Sequence, residues 1–313
     1  MRASLRTKAA LLLMLIAAVL PELVVGSTPV TGLFNPIALV FLLLGYSLPV
    51  LVLREYIVRN RIGVAGIIAL GVAFGIYNEG LWAKTMILLQ DLPISQFDMY
   101  GRIAEVNMPW LFVIGLYHAL AAVLLPIAIA HWRYKDIRDV PWLPKTISVP
   151  LAVGLLILAC VSFLSELRLR GTGAQLIVLL FVMLVFVIIA RFRPGFQLVK
   201  SHALVSFKAF MLGVSMILAL IVLALMAEKK VPLPIFFVSL AALTWTYARF
   251  LKGKDGLSEG RLLMFGYGFY VQSALLGLII GSMGGSIDRV VAGAVFVGVF
   301  TIAAVRLRRS KAS

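Results

Sequence analysis

Four polar side chains lie inside otherwise apolar stretches of this chain and are the ones equipped for chemistry: Glu22, Asn78, Glu79 and His118. Even on lenient insertion scales a charged group near mid-membrane costs about 2.5–3.5 kcal/mol, so such a group normally has a partner and a role. A glutamate beside an imidazole in low dielectric exists as an ion pair or as two neutral groups, and small changes in surroundings move the proton between them. That chemistry serves proton coupling or acid–base catalysis. Glu79, His118 and Glu22 are also the donor set to consider for Zn²⁺ or another first-row ion. No motif implies a cofactor. The plain structural alternative is that Glu79 and His118 tie helices together, with Asn78 as a further hydrogen-bonding residue and Glu22 reaching water beside Pro21.

Local spacing favours placing these groups against protein rather than lipid. Gly71, Gly75, Asn78 and Trp82 fall on one helical stripe, which Glu79 borders. Gly115, Ala119 and Ala122 form a small-residue stripe beside His118, and small residues four apart let helices approach closely. Side chains lean toward the N-terminus of their own helix. The helices carrying Glu22 and Glu79 run in one direction and the helix of His118 in the other. The three side chains therefore lean toward a common depth, although the backbone alone leaves His118 deeper than both carboxylates.

The elements that must position them follow from composition. Of 313 residues, 62% are hydrophobic and 13% charged, with a mean hydropathy of +1.05, more apolar surface than a water-facing domain can hide. Runs of membrane-spanning length predict an all-α polytopic integral membrane helix bundle, one transmembrane domain over 1–313. Ten spans are expected, near 9–25, 36–53, 62–83, 110–132, 146–165, 174–190, 205–227, 231–250, 262–283 and 288–305. Glu228-Lys229-Lys230 with Pro232 marks a tight turn between the seventh and eighth. The first span also has the features of a cleavable signal peptide, but Glu22 and Val24 suit a cleavage site poorly. Two inverted five-span halves were an attractive plan, yet no repeat is visible in the sequence.

Charge sets the orientation. Ten spans leave 22 of the 29 basic residues in the connections and termini of one face, which the positive-inside rule puts in the cytoplasm together with both termini. A plasma (inner) membrane location is expected. The net charge of +16 is therefore topological, and no nucleic-acid partner is implied. The segment from Lys84 to Pro109 on the opposite face is expected to lie along the interface or to cap the spans. Trp132 and Trp142 read as interfacial anchors, and His131 and His202 as solvated residues.

Other candidates carry less. Asp136 and Asp139 have the spacing of one piece of a metal–diphosphate motif but sit among four basic residues, so they read as a solvated loop. The Gly266–Ser273 stretch reads as a packing face. Cys160 stands alone and excludes an intramolecular disulfide. A P-loop, a His-Glu-x-x-His sequence and a serine nucleophile elbow are all missing.

These features favour a multi-pass, proton-coupled secondary transporter of a small molecule. An intramembrane enzyme acting on a lipid or lipid-linked substrate from the extracytoplasmic side is the alternative, and a membrane scaffold or assembly subunit the third. The bilayer is the one partner the sequence specifies.

Overall fold

The computed structural model describes residues 2–24, 30–90, 92, 94–165, 169–192, 206–252, 257–283, 287, 288 and 290–298. Among them, nine helices are long and apolar enough to cross a membrane. We label them α1 (Arg2–Leu23), α2 (Pro36–Asn60), α3 (Val64–Trp82), α4 (Met108–Arg133), α5 (Lys145–Leu164), α6 (Gly173–Phe192), α7 (Phe207–Glu228), α8 (Leu233–Lys252) and α9 (Glu259–Met283). The expected tenth span, 288–305, is described only in its first half. Of its length, 290–298 is helical. Two helices extend further than their apolar runs: α1 takes up Arg2, Arg6 and Lys8, and α2 continues to Asn60.

Helix α3 and helix α4 form the centre. In their spanning windows 78% and 67% of residues are buried, against 11–28% for α5 to α8, whose outer faces carry aliphatic residues suited to lipid. The contact between α3 and α4 is nearly backbone on backbone. A Cβ added at Gly71 would stand 2.4 Å from the Ala119 Cα, and one at Gly75 would stand 2.7 Å from the Gly115 Cα. The two small-residue stripes thus face each other. Gly75→Ala should push the helices apart at a cost of about 1–3 kcal/mol. Thermal denaturation in detergent checks this, and an unchanged midpoint would show that the contact has slack.

Helix α1 is part of the core rather than an appendage. Its Ala9, Leu13 and Ala17 are fully buried, Ser47 Oγ donates to Met14 O at 2.8 Å, and Tyr117 Oη donates to Pro21 O at 2.9 Å. The turn between α7 and α8 is as tight as the sequence implies. Lys230 adopts φ +49°, and Val231 N donates back to Met226 O at 3.1 Å. That is the glycine-less version of a helix-ending left-handed turn.

Three helices change pitch. Residues Leu43–Ser47 of α2, Ile76–Trp82 of α3 and Ala119–Leu124 of α4 form π-turns. A π-turn upsets the regular backbone pairing of a helix, so side chains of neighbouring elements take up carbonyls there. Tyr77 Oη donates to Leu44 O at 2.8 Å, Asn78 Nδ2 to Gly45 O at 3.0 Å, and Tyr270 Oη to Ala121 O at 2.8 Å. The last bond draws the Gly266–Ser273 stretch of α9 against α4, in keeping with its reading as a packing face.

The segment between α3 and α4 caps the bundle, with no interfacial helix among its described residues. It contains 3₁₀ turns at Thr85–Ile87 and Ser95–Phe97, and a hairpin of β1 (Arg102–Ile103) with β2 (Val106–Asn107). Met86, Phe97 and Val106 are fully buried, so its apolar residues turn into the bundle. Arg102 organises the cap by donating to Leu88 O at 2.7 Å, Ile87 O at 3.0 Å and Asp98 O at 3.2 Å. Burial pulls the pKa of its guanidinium down, and Glu105 and Asp98 pull it partly back. Lys84, expected as a loop charge, is 1% exposed and donates to Ser165 O at 3.1 Å and also to Leu169 O. It thereby caps the C-terminal end of α5, where a cation is favoured.

A charged cluster closes the opposite face. Arg54 and Glu55 are 0% and 1% exposed and pair at 2.7 Å. The Arg54 guanidinium also donates to Arg138 O at 2.7 Å and to His131 Nε2 at 3.2 Å, and it lies 3.6 Å from the centroid of Trp142. Glu55 accepts from Trp142 N at 2.8 Å and from Arg59 at 3.3 Å. Arg138 continues the network to Glu259 of α9 at 3.2 Å. This corrects two readings: His131 is an acceptor inside the network rather than a solvated residue, and Trp142 is a buried lid over Arg54 rather than an interfacial anchor. The reason is that α2 outlasts its apolar run by two turns and carries Arg54 inward. Asp136 and Asp139 are exposed, as a solvated loop requires. His202 lies outside the described residues.

Candidate functional site

Glu79 sits in the π-turn at the end of α3, and His118 ends the regular part of α4 just before its own π-turn. The α3–α4 contacts set His118 near the level of Val72, which leaves its backbone roughly 10 Å deeper than that of Glu79. Opposed side-chain lean closes the gap. His118 Nε2 and Glu79 Oε1 are 2.9 Å apart, with the side chains 2% and 13% exposed.

The second carboxylate oxygen is fixed as well. Thr85 Oγ1 donates to Glu79 Oε2 at 2.6 Å while accepting from Trp110 Nε1 at 3.1 Å. A hydrogen-bonded chain therefore runs Trp110, Thr85, Glu79, His118. Around the imidazole stand Tyr117, Tyr46 and Phe74, with ring centroids 5.3, 5.7 and 5.9 Å away. The other ring nitrogen of His118, Nδ1, is buried and makes no hydrogen bond among the described residues. An unpaired polar atom in such a place is costly and calls for an explanation.

Glu22 enters through an intermediary. Its carboxylate accepts a short hydrogen bond from Tyr46 Oη, and the Tyr46 ring packs against the His118 imidazole. Both carboxylates line a cavity of about 460 Å³ that also touches Tyr46, Asn78, Trp82 and Ser162. Asn78 spends its amide on Gly45 O, so it holds α3 to α2 while bordering the cavity. Among the described residues, no group of three His, Cys, Asp or Glu is gathered closely enough to hold a metal ion. Glu79 and His118 are brought together, and Glu22 is joined to them by the tyrosine.

A second space lies toward the other end of the bundle. It measures about 370 Å³ and is walled by α3, α4, α7, α8 and α9, with Tyr117 among its lining residues. Adjacent residues of α4 thus serve two compartments: Tyr117 borders the apolar cleft and His118 bonds a carboxylate of the polar cavity. A layer of rings links them: Tyr46, which lines the polar cavity, and Tyr117, which lines the cleft, both pack against the His118 imidazole, as does Phe74.

Sequence reasoning missed Tyr46, Thr85, Trp110 and Tyr117. Tyr46 had a usable signal, since a hydroxyl within the apolar run Leu42–Leu48 must find a partner when buried. Thr85 and Trp110 had none, because their pairing depends on how the cap folds back over α3.

No curated protein and no solved structure matches this chain. Its sequence matches an uncharacterized membrane protein family over residues 11–306, and the chain, a multi-pass membrane helix bundle, belongs to that family.

Proposed function

We propose that this protein is a proton-coupled secondary transporter in which Glu79 and His118 carry the proton. The observation that supports this reading most is the hydrogen-bonded Glu79–His118 pair in the thin layer between a polar cavity and an apolar cleft. Alternating access needs such a layer, open to one side at a time and sensitive to charge. The orientation that accords with the loop charges puts the polar cavity outside and the basic face in the cytoplasm.

In this reading a proton from the polar cavity reaches Glu79, whose carboxylate borders it, and passes to His118 Nε2. The imidazolium then releases a proton from Nδ1 once a rearrangement gives that nitrogen an acceptor. Thr85 keeps the carboxylate pointed at the ring throughout. The titratable neighbours Glu22, Tyr46 and Tyr117 set the field in which the pair exchanges its proton.

Electrometry on proteoliposomes tests this without knowledge of the substrate. A step to acid pH on the cavity side should displace charge in the wild type and not in His118→Gln, which keeps a donor for Glu79 but cannot shuttle. Equal signals from both proteins would overturn the proposal.

A second reading has one observation in its favour. Among the described residues, Glu22, Glu79, Thr85 and His118 lie on α1, α3, α4 and the cap, and Glu79 is held by Thr85 and His118 as a general base would be. An intramembrane enzyme of this kind would turn over a lipid-linked substrate in detergent with no gradient present. Transport requires the closed vesicle.

A further inference from the structure

The apolar cleft between α3, α4, α7, α8 and α9 has polar residues in its lining, yet its walls present hydrocarbon. Thr244 Oγ1 donates to Leu240 O at 2.8 Å, Ser273 Oγ to Phe269 O at 2.8 Å, and Tyr247 Oη to Ser215 O at 2.8 Å. Each hydroxyl is thus turned onto backbone. Apart from Gln272 and, at one end, Lys252, what remains in the cleft is aliphatic and aromatic surface, a lining that water wets poorly and that an alkyl chain fills well.

Its dimensions point to the same occupant. Along α8 the lining runs from Leu240 to Lys252, a rise of roughly 18 Å. One leaflet of a bilayer holds acyl chains over about 15 Å, half the hydrocarbon thickness. The cleft therefore accommodates one chain lying parallel to the helices. Its end near Lys252 is basic: the Arg261 guanidinium donates to Lys252 O at 3.0 Å, while Arg249, one turn earlier on α8, lies over the Trp245 ring outside the cleft. The nearby carboxylate of Glu259 is paired with Arg138.

We infer that this cleft is a binding site for an acyl chain of an anionic phospholipid, with the headgroup at Lys252 and Arg261 and the chain end near Tyr117. The inference goes beyond proton transfer and does not depend on it. It identifies a lipid site that touches the same layer from the other side.

Native mass spectrometry of the full-length protein, delipidated and then titrated with phosphatidylglycerol or phosphatidylcholine of equal chain length, tests the site. Phosphatidylglycerol should bind more tightly by about fivefold, the worth of one well-placed cation near a headgroup. Lys252→Gln should remove that preference. Ala248→Trp, which fills the cleft from an exposed position on its wall, should weaken both lipids by about tenfold or more. Val238→Trp, on a surface of α8 that is 69% exposed and outside the cleft, should change nothing. Equal affinity for the two lipids, or equal losses in Ala248→Trp and Val238→Trp, would overturn the assignment in favour of general lipid contact. Because Glu79→Gln should leave lipid stoichiometry unchanged, failure of the transport reading and failure of this one give different results.

Discussion

Glu79→Gln is expected to lower proton-driven charge movement by at least about 100-fold while leaving the fold almost as stable as before. The amide has the shape of the carboxylate and can still accept from Thr85, so the chain from Trp110 survives. What it loses is the ability to take up and release a proton at a carboxylate that borders the polar cavity and is hydrogen-bonded to His118. Unlike a truncation, the substitution creates no void beside α2. A thermal midpoint within a few degrees of the wild type, together with absent pH-jump currents, is the expected pair of results. If the currents persist, the Glu79–His118 bond is a fastener between α3 and α4, and the scaffold reading takes its place.

The largest loss of stability is expected at the other face, from Glu55→Ala. That change leaves the Arg54 guanidinium fully buried with carbonyl, imidazole and indole contacts but no counter-charge. Breaking a buried pair from one side typically costs about 3–5 kcal/mol, because the remaining ion has been taken out of water without compensation. Trp142 N loses its acceptor in the same step, which adds to the loss. Equilibrium unfolding in mixed micelles measures the effect. The double variant Arg54→Met with Glu55→Gln should recover a good part of it, since it removes both charges. If the double variant is no better than Glu55→Ala, the cluster acts through shape rather than charge.

Much of this architecture was readable in advance. Apolar length located the nine long helices to within several residues, since the bilayer sets that length independently of packing. The Gly71/Gly75 and Gly115/Ala119 stripes announced a close helix contact, and the lean of side chains along opposed helices brought Glu79 and His118 together in depth. Other features had no local signature. The π-turns follow from how α2, α3 and α4 fit one another, and the apolar pattern is the same with or without them. Lys84 and Arg102 look like loop charges in the sequence because their partners are mostly backbone carbonyls, which every residue possesses, and Arg54 does so because His131, Arg138 and Trp142 lie far from it along the chain. Asn78 looked like a site residue and proved to be bonded to Gly45 O as well. Polarity alone does not separate those two roles.

The π-turn of α3 stores the site as a rotational phase. Each residue of a regular helix advances the side-chain direction by about 100°, and each residue of the wider π-turn by less, so winding the same seven residues Ile76–Trp82 at ordinary pitch would carry everything beyond them about one residue's angle too far. A helix of the same composition and nearly the same length would still span the membrane. Its carboxylate, however, would no longer point at the imidazole, and Thr85 with the whole cap would be turned away from it. The Glu79–His118 contact is thus written partly in how the backbone of α3 winds, which any hydropathy profile would overlook.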